Sequence, residues 1–232
     1  MKEALKEIGF ALGLIFVIGI LHQFFKDFLV FQFMAASIAL PAMFLACKVD
    51  GVDCKLGNLK GAVIALSLGF LLTLPFALIS EVRYEGSLTW RPLAIYALVA
   101  LWEEAVFRGY PLIRGSKVSL VVTSLLFSLG HSANPGFTPL AFLGIFTAAL
   151  MLGVIRVKAG FFSAVGLHFS WNFFVGSFWG FVVSGIRLGS LFRSELIGPE
   201  LITGGEFGPE ASLVAIALFS LTSLIAYRVM EG

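Results

Sequence analysis

Charge is scarce in this chain. Asp, Glu, Lys and Arg make up 13% of its 232 residues, against roughly a quarter in an ordinary soluble domain. So few polar groups cannot cover a surface that faces water on every side. A basic excess is also missing: the formal net charge is +2, and no Lys/Arg run is suited to tracking phosphates, which excludes nucleic acid as a partner. Cysteine is nearly absent. Cys47 and Cys54 have six residues between them, neither a redox CxxC nor paired zinc-ligand spacing, and read as inert thiols. There is no HExxH, no internal repeat and no low-complexity tract.

What is present is apolar: 59% of residues are hydrophobic and the mean hydropathy is +0.97. Uncharged stretches run 8–25, 28–47, 61–80, 118–155, 159–186 and 211–227, most of them long enough to cross a bilayer as a helix. The first follows Lys2 and Lys6 as a signal peptide would, but no small-x-small cleavage site comes after it, so it is read as a retained membrane helix. The longest contains Asn134-Pro135-Gly136, a turn signal that divides it in two. Arg91 to Arg114 is a further span, interrupted by Glu103, Glu104 and Arg108. The pattern predicts an all-α, polytopic transmembrane bundle of about eight helices forming a single domain over 1–232. With the N-terminus inside, 11 of the 16 Lys and Arg residues fall on the inner side and 5 on the outer, or 10 against 5 with Arg108 counted as intramembrane. The positive-inside rule then puts both termini in the cytoplasm. Residues 187–210, rich in Gly and Pro, read as an outer loop that is either a lid or a passive connector.

Ionisable groups inside a span are costly, about 2.5 to 3.5 kcal/mol each on insertion scales, and so point to function. Glu104 and Arg108 are four apart with Glu first, the order that favours an ion pair on one helix face. That leaves Glu103, turned by ~100°, for another task. His168 and Asn172 share a face by the same spacing. At a rise of about 1.5 Å per residue, Glu103, His131, His168 and Asn172 lie about 16, 21, 15 and 21 Å above the charges at the inner ends of their helices. Three helices therefore place polar groups at nearly one level. A shielded carboxylate beside an imidazole can activate water, and a second His with an Asn amide can donate to a tetrahedral oxyanion. Amide hydrolysis by water is the chemistry this set supports.

These residues also resemble a known family. Glu103-Glu104-Ala-Val-Phe-Arg108 reads EExxxR, Phe127-Ser-Leu-Gly-His131 reads FxxxH, and His168-Phe-Ser-Trp-Asn172 reads HxxxN. In that order they are similar to the three motifs of the CAAX protease and bacteriocin-processing (CPBP, or Abi) family, which includes the type II CAAX prenyl endopeptidases. The resemblance covers roughly 90–175, the expected catalytic core, and Thr203 to Glu210 also looks like a stretch common among prokaryotic members. It implies an eight-helix membrane fold and a glutamate-dependent peptidase needing no metal or other cofactor. In that scheme Glu103 and His131 activate water, His168 and Asn172 form the oxyanion site, and Glu104 with Arg108 support them. The implied partners are the lipid bilayer and a membrane-embedded or membrane-tethered peptide or protein, lipidated or not. The location would be an integral membrane one, the plasma membrane in a prokaryotic cell.

Other readings stay open on the residues alone. Glu104–Arg108 could be a packing ion pair, and the histidines interhelical hydrogen-bonding glue. Phe127 reads as packing, Trp102 and Trp171 as cavity wall or ordinary packing, and His22 as an interfacial residue outside the site. Gly109 and Pro111 are candidates to kink or end their helix. A zinc hydrolase, a non-catalytic scaffold or immunity protein, and a proton-coupled transporter are the competing functions; no inverted repeat favours the last.

Overall fold

The computed structural model describes residues 1–229. Its long helices are α1 (Lys2–Phe24), α2 (Phe28–Val49), α3 (Leu59–Leu78), α4 (Trp90–Glu104), α5 (Lys117–Gly130), α6 (Pro139–Ala159), α7 (Phe161–Asn172) and α9 (Leu213–Val229). The short α8 (Glu200–Thr203) brings the number among the described residues to nine, one more than the sequence pattern predicts. Four of them, α1, α2, α3 and α6, are long and apolar enough to cross a membrane. Their outward faces carry bare apolar side chains such as Phe16, Leu45 and Ile64, as a lipid-facing surface requires.

Polar residues that break the apolar runs serve as caps. Asp27, Asn58, Ser116 and Thr138 each accept backbone N–H bonds at the start of α2, α3, α5 and α6, worth about 1 kcal/mol apiece. The turn at 134–136 does separate α5 from α6. Two predicted spans are less regular than their apolar patterns suggest. The 91–114 span leaves α-geometry after Glu104 for a π-helical turn, Ala105–Gly109, and α7 does the same after Asn172 through Phe173–Phe178. The 187–210 stretch is more structured than its composition suggests: β2 (Phe192–Leu196) pairs antiparallel with β1 (Ser80–Tyr84), and α8 follows it.

A seam of small residues fixes how α7 is rotated. A Cβ on Gly69 of α3 would lie 2.6 Å from Ser170 Cβ, and one on Gly166 of α7 would lie 3.1 Å from the Ala62 carbonyl oxygen. The Ser170 hydroxyl donates to the Leu66 carbonyl at 2.6 Å. Small residues let helix backbones approach closely where water supplies no driving force. His168 lies ~200° around the helix from both Gly166 and Ser170, so the seam against α3 turns it to the opposite side, into the bundle.

The Gly-rich segment before α9 is wedged in place. Gly208 adopts φ +100°, a conformation suited to glycine, and a Cβ there would meet the Val182 carbonyl at 2.3 Å. A Cβ on Gly144 of α6 would sit 1.8 Å from the Glu210 carbonyl oxygen. At the other end of the bundle, Asp50 accepts from Lys6, from the Tyr110 hydroxyl at 2.5 Å and from Arg114 at 2.7 Å, while buried Glu7 accepts from Ser119 at 2.6 Å.

Two outcomes follow for stability. Gly144→Ala should cost about 1 to 3 kcal/mol through overpacking, read as a lower melting temperature in detergent. The Lys6 ammonium first, then the Tyr110 hydroxyl and Arg114, hold Asp50 well below the usual carboxylate range. A depressed carboxylate contributes stability above its unfolded pKa of about 3.9 and loses it as pH falls through the folded value. Asp50→Asn should therefore melt below wild type at neutral pH, with the gap closing below about pH 4.

Candidate active site

The six residues singled out by spacing divide into two adjoining groups. Glu104 and Arg108 are fully buried and joined by a 2.7 Å bond from Arg108 Nη1 to Glu104 Oε1. The guanidinium lies over the Phe127 ring with its carbon 3.9 Å from the centroid, so an aromatic face covers the charge on that side. Phe127 also sits 4.7 Å from the His131 ring, centroid to centroid. The packing role read for Phe127 is thus that of a spacer between the ion pair and His131.

Glu104 does more than neutralise Arg108. Its Oε1 is 2.9 Å from His168 Nδ1. An ionised carboxylate only accepts, so this nitrogen carries a hydrogen and the ring orientation is fixed. The other ring nitrogen, Nε2, is 3.6 Å from Glu103 Oε2, which has no hydrogen-bond partner among the described residues. His168 is therefore held between two consecutive carboxylates. The π-helical turn begins directly after them; such turns displace the backbone register and occur often at functional sites.

His131 is the C-terminal cap of α5. Its Nδ1 lies 2.8 Å from the Phe127 carbonyl oxygen. A carbonyl cannot donate, so Nδ1 bears hydrogen and Nε2 of the neutral ring is left as an acceptor. Glu103, His131, His168 and Asn172 all line one cavity of about 560 Å³, within the range of about 300 to 1,000 Å³ usual for small-molecule sites. Most of its wall is apolar, including Ile18, Phe31, Ile145 and Leu167. Trp102 and Trp171 both belong to it. His22, set aside on sequence as interfacial, lines the same cavity and packs edge-on to Phe31 at 5.0 Å.

Gln32, Asn134, Ser184 and Glu210 also line the cavity, and no spacing in the sequence assigns them to it. Glu210, on the wedged segment before α9, is buried and accepts from Trp171 Nε1 at 3.0 Å, from the Ser184 amide at 2.5 Å and from the Ser184 hydroxyl at 2.9 Å. Its place in a Gly-Pro-Glu run at the edge of an apolar stretch was the available signal. Gln32, within the apolar run of α2, accepts from Trp102 Nε1 at 2.6 Å. Among the described residues no group of three or more His, Cys, Asp and Glu side chains has an arrangement that could hold a metal ion.

Residues 85–174 match the family model described as type II CAAX prenyl endopeptidase Rce1-like, a family of membrane proteases. The matched stretch, less than half the chain, contains the EExxxR, FxxxH and HxxxN residues. No curated protein and no solved structure matches the chain.

The geometry separates the two glutamates by experiment. Glu104→Ala strands Arg108 and releases His168, and should cost about 3 to 5 kcal/mol. Glu103→Gln removes no hydrogen bond within the described residues, only the 3.6 Å contact with His168, and should shift the melt far less than Glu104→Ala. A calorimetric or fluorescence melt of both variants in detergent checks the contrast.

Proposed function

We propose, with the family match over 85–174 as premise, that this chain is a multi-pass intramembrane endopeptidase of the glutamate type, cutting a peptide bond at the level of Glu103. The observation that carries the reading is an unpaired carboxylate, Glu103, lying 3.6 Å from His168 inside a cavity shared with His131 and Asn172. In the bilayer, α1 to α7 and α9 make eight crossings, α4 and α7 being extended by their π-helical turns, with both termini cytoplasmic and 187–210 as an outer loop.

A water bound between Glu103 and His131 Nε2 attacks the scissile carbonyl as Glu103 takes its proton. The tetrahedral oxyanion accepts from the Asn172 amide and from His168, which as imidazolium donates through Nδ1 to Glu104 and through Nε2 into the cavity. Collapse of the intermediate breaks the C–N bond, and the proton on Glu103 passes to the leaving amine. Arg108 takes no part in bond making; it keeps Glu104 ionised in an apolar surrounding and so keeps His168 in place. The apolar wall suits a lipidated or membrane-embedded substrate, and a prenylated C-terminal peptide is the first one to try.

The test uses purified protein in detergent with a farnesylated peptide ending in a CAAX sequence, the released C-terminal fragment being measured by mass spectrometry. Wild type should cleave it, and Glu103→Gln should lower kcat by about 10² to 10⁴, the range for loss of a general base. Activity should survive a tight chelator; loss restored by zinc would replace this mechanism with metal-assisted hydrolysis. Comparison of membrane proteomes from wild-type and Glu103→Gln cells should reveal an uncut protein that accumulates. Full complementation of a deletion phenotype by Glu103→Gln would favour a scaffold instead.

A further inference from the structure

Gln32 lies outside the region that matches the family, on an α2 whose other buried residues are apolar. Its side chain is 2% exposed and lines the cavity that holds Glu103. An indole nitrogen can only donate, so the bond from Trp102 Nε1 at 2.6 Å identifies the Gln32 oxygen and fixes the amide plane. The amide nitrogen, with two N–H groups, has no hydrogen bond within the described residues. A buried glutamine used purely as interhelical glue would spend both ends on its neighbours. Here one end is anchored and the other is left for something that enters the cavity.

Position adds to this. Trp102 immediately precedes Glu103, so the anchor of the Gln32 amide and the unpaired carboxylate are consecutive on α4. α4 packs against α2 on one hand and against α7, which bears His168 and Asn172, on the other. A peptide lying across Glu103 would thus have Asn172 toward one end and Gln32 toward the other.

We propose that Gln32 is a substrate-binding residue whose amide donates a hydrogen bond to a backbone carbonyl of the peptide beside the scissile bond. This rests on the peptidase reading above. The contact forms on binding and is kept through the reaction, so its loss weakens binding and leaves the chemical step alone. Trp102 is the positioning residue that presents the amide.

Two variants separate donation from anchoring. Gln32→Glu keeps an oxygen for Trp102 but has no N–H to offer; Gln32→Met keeps the volume and loses both. With the farnesylated CAAX peptide, each should raise KM about tenfold, near the worth of one hydrogen bond, with kcat within about twofold. In a Glu103→Gln background, the affinity for a fluorescent form of the same peptide, read by anisotropy, should fall by the same factor. If Gln32→Glu matches wild type while Gln32→Met is impaired, the residue only braces Trp102 and the proposal is overturned. A drop in kcat at unchanged KM overturns it as well. Should Gln32→Met fail to fold, Gln32→Glu decides alone. If wild type binds the peptide without cutting it, the peptidase reading fails on this probe while the anisotropy arm still judges Gln32; if the peptide does not bind at all, both fall.

Discussion

One buried carboxylate organises this molecule. Glu104, with no solvent exposure, accepts from Arg108 on its own helix and from His168 on α7. Neither charge could sit in an apolar bundle alone, since an isolated ion there costs several kcal/mol. The pair is bought at the expense of fixing three elements together: the π-helical turn that bears Arg108, the helix that bears His168, and the end of α5, whose Phe127 covers the guanidinium. Everything proposed for the site inherits its geometry from this arrangement.

Adjacent glutamates on a regular helix point ~100° apart, and the fold uses that angle to divide two roles. Glu104 faces the packed interior, where its Oε1 meets both Arg108 and His168. Glu103 faces the cavity and shares His168 with it from the other ring nitrogen. The small-residue seam between α3 and α7 is the counterpart, since close approach there turns His168 toward both carboxylates. A larger residue at Gly69 or Gly166 would displace α7 and act on the site without touching it.

The helical bundle was legible because apolar runs, caps and turn signals are local. So were the six spaced residues, because 3.6 residues per turn makes i,i+4 pairs predictable on any helix. The shared cavity needed only the assumption that equal depths on packed helices coincide. The π-helical turns were not legible: Ala105–Gly109 and Phe173–Phe178 differ from α-helix by one hydrogen-bond register, and composition does not encode that. The β1–β2 pair joins strands far apart in the chain and has no short-range turn signal. Glu210 and Gln32 enter the cavity from segments that meet α4 and α7 only in three dimensions. The local structure within 187–210 was not legible either, because glycines such as Gly204 and Gly208 serve close backbone contact, which composition does not encode.

The cost of Glu103 is the strongest reason to regard it as used. Glu104 has two bonded partners and Glu210 has three donors, so their burial is offset within the structure. Gln32 and His131 are each tied by one bond that leaves the other end free. Glu104 leaves only its Oε2 unbonded, whereas Glu103 accepts no hydrogen bond among the described residues. A sequence selected only for stability would replace such a group, because burying a polar atom without a partner costs free energy with no return in folding. Unmet hydrogen-bonding capacity converges on one cavity from Glu103 on α4, His131 after α5 and Gln32 on α2. That distribution fits a site completed by a water and a peptide backbone, which together can meet each of those groups at once.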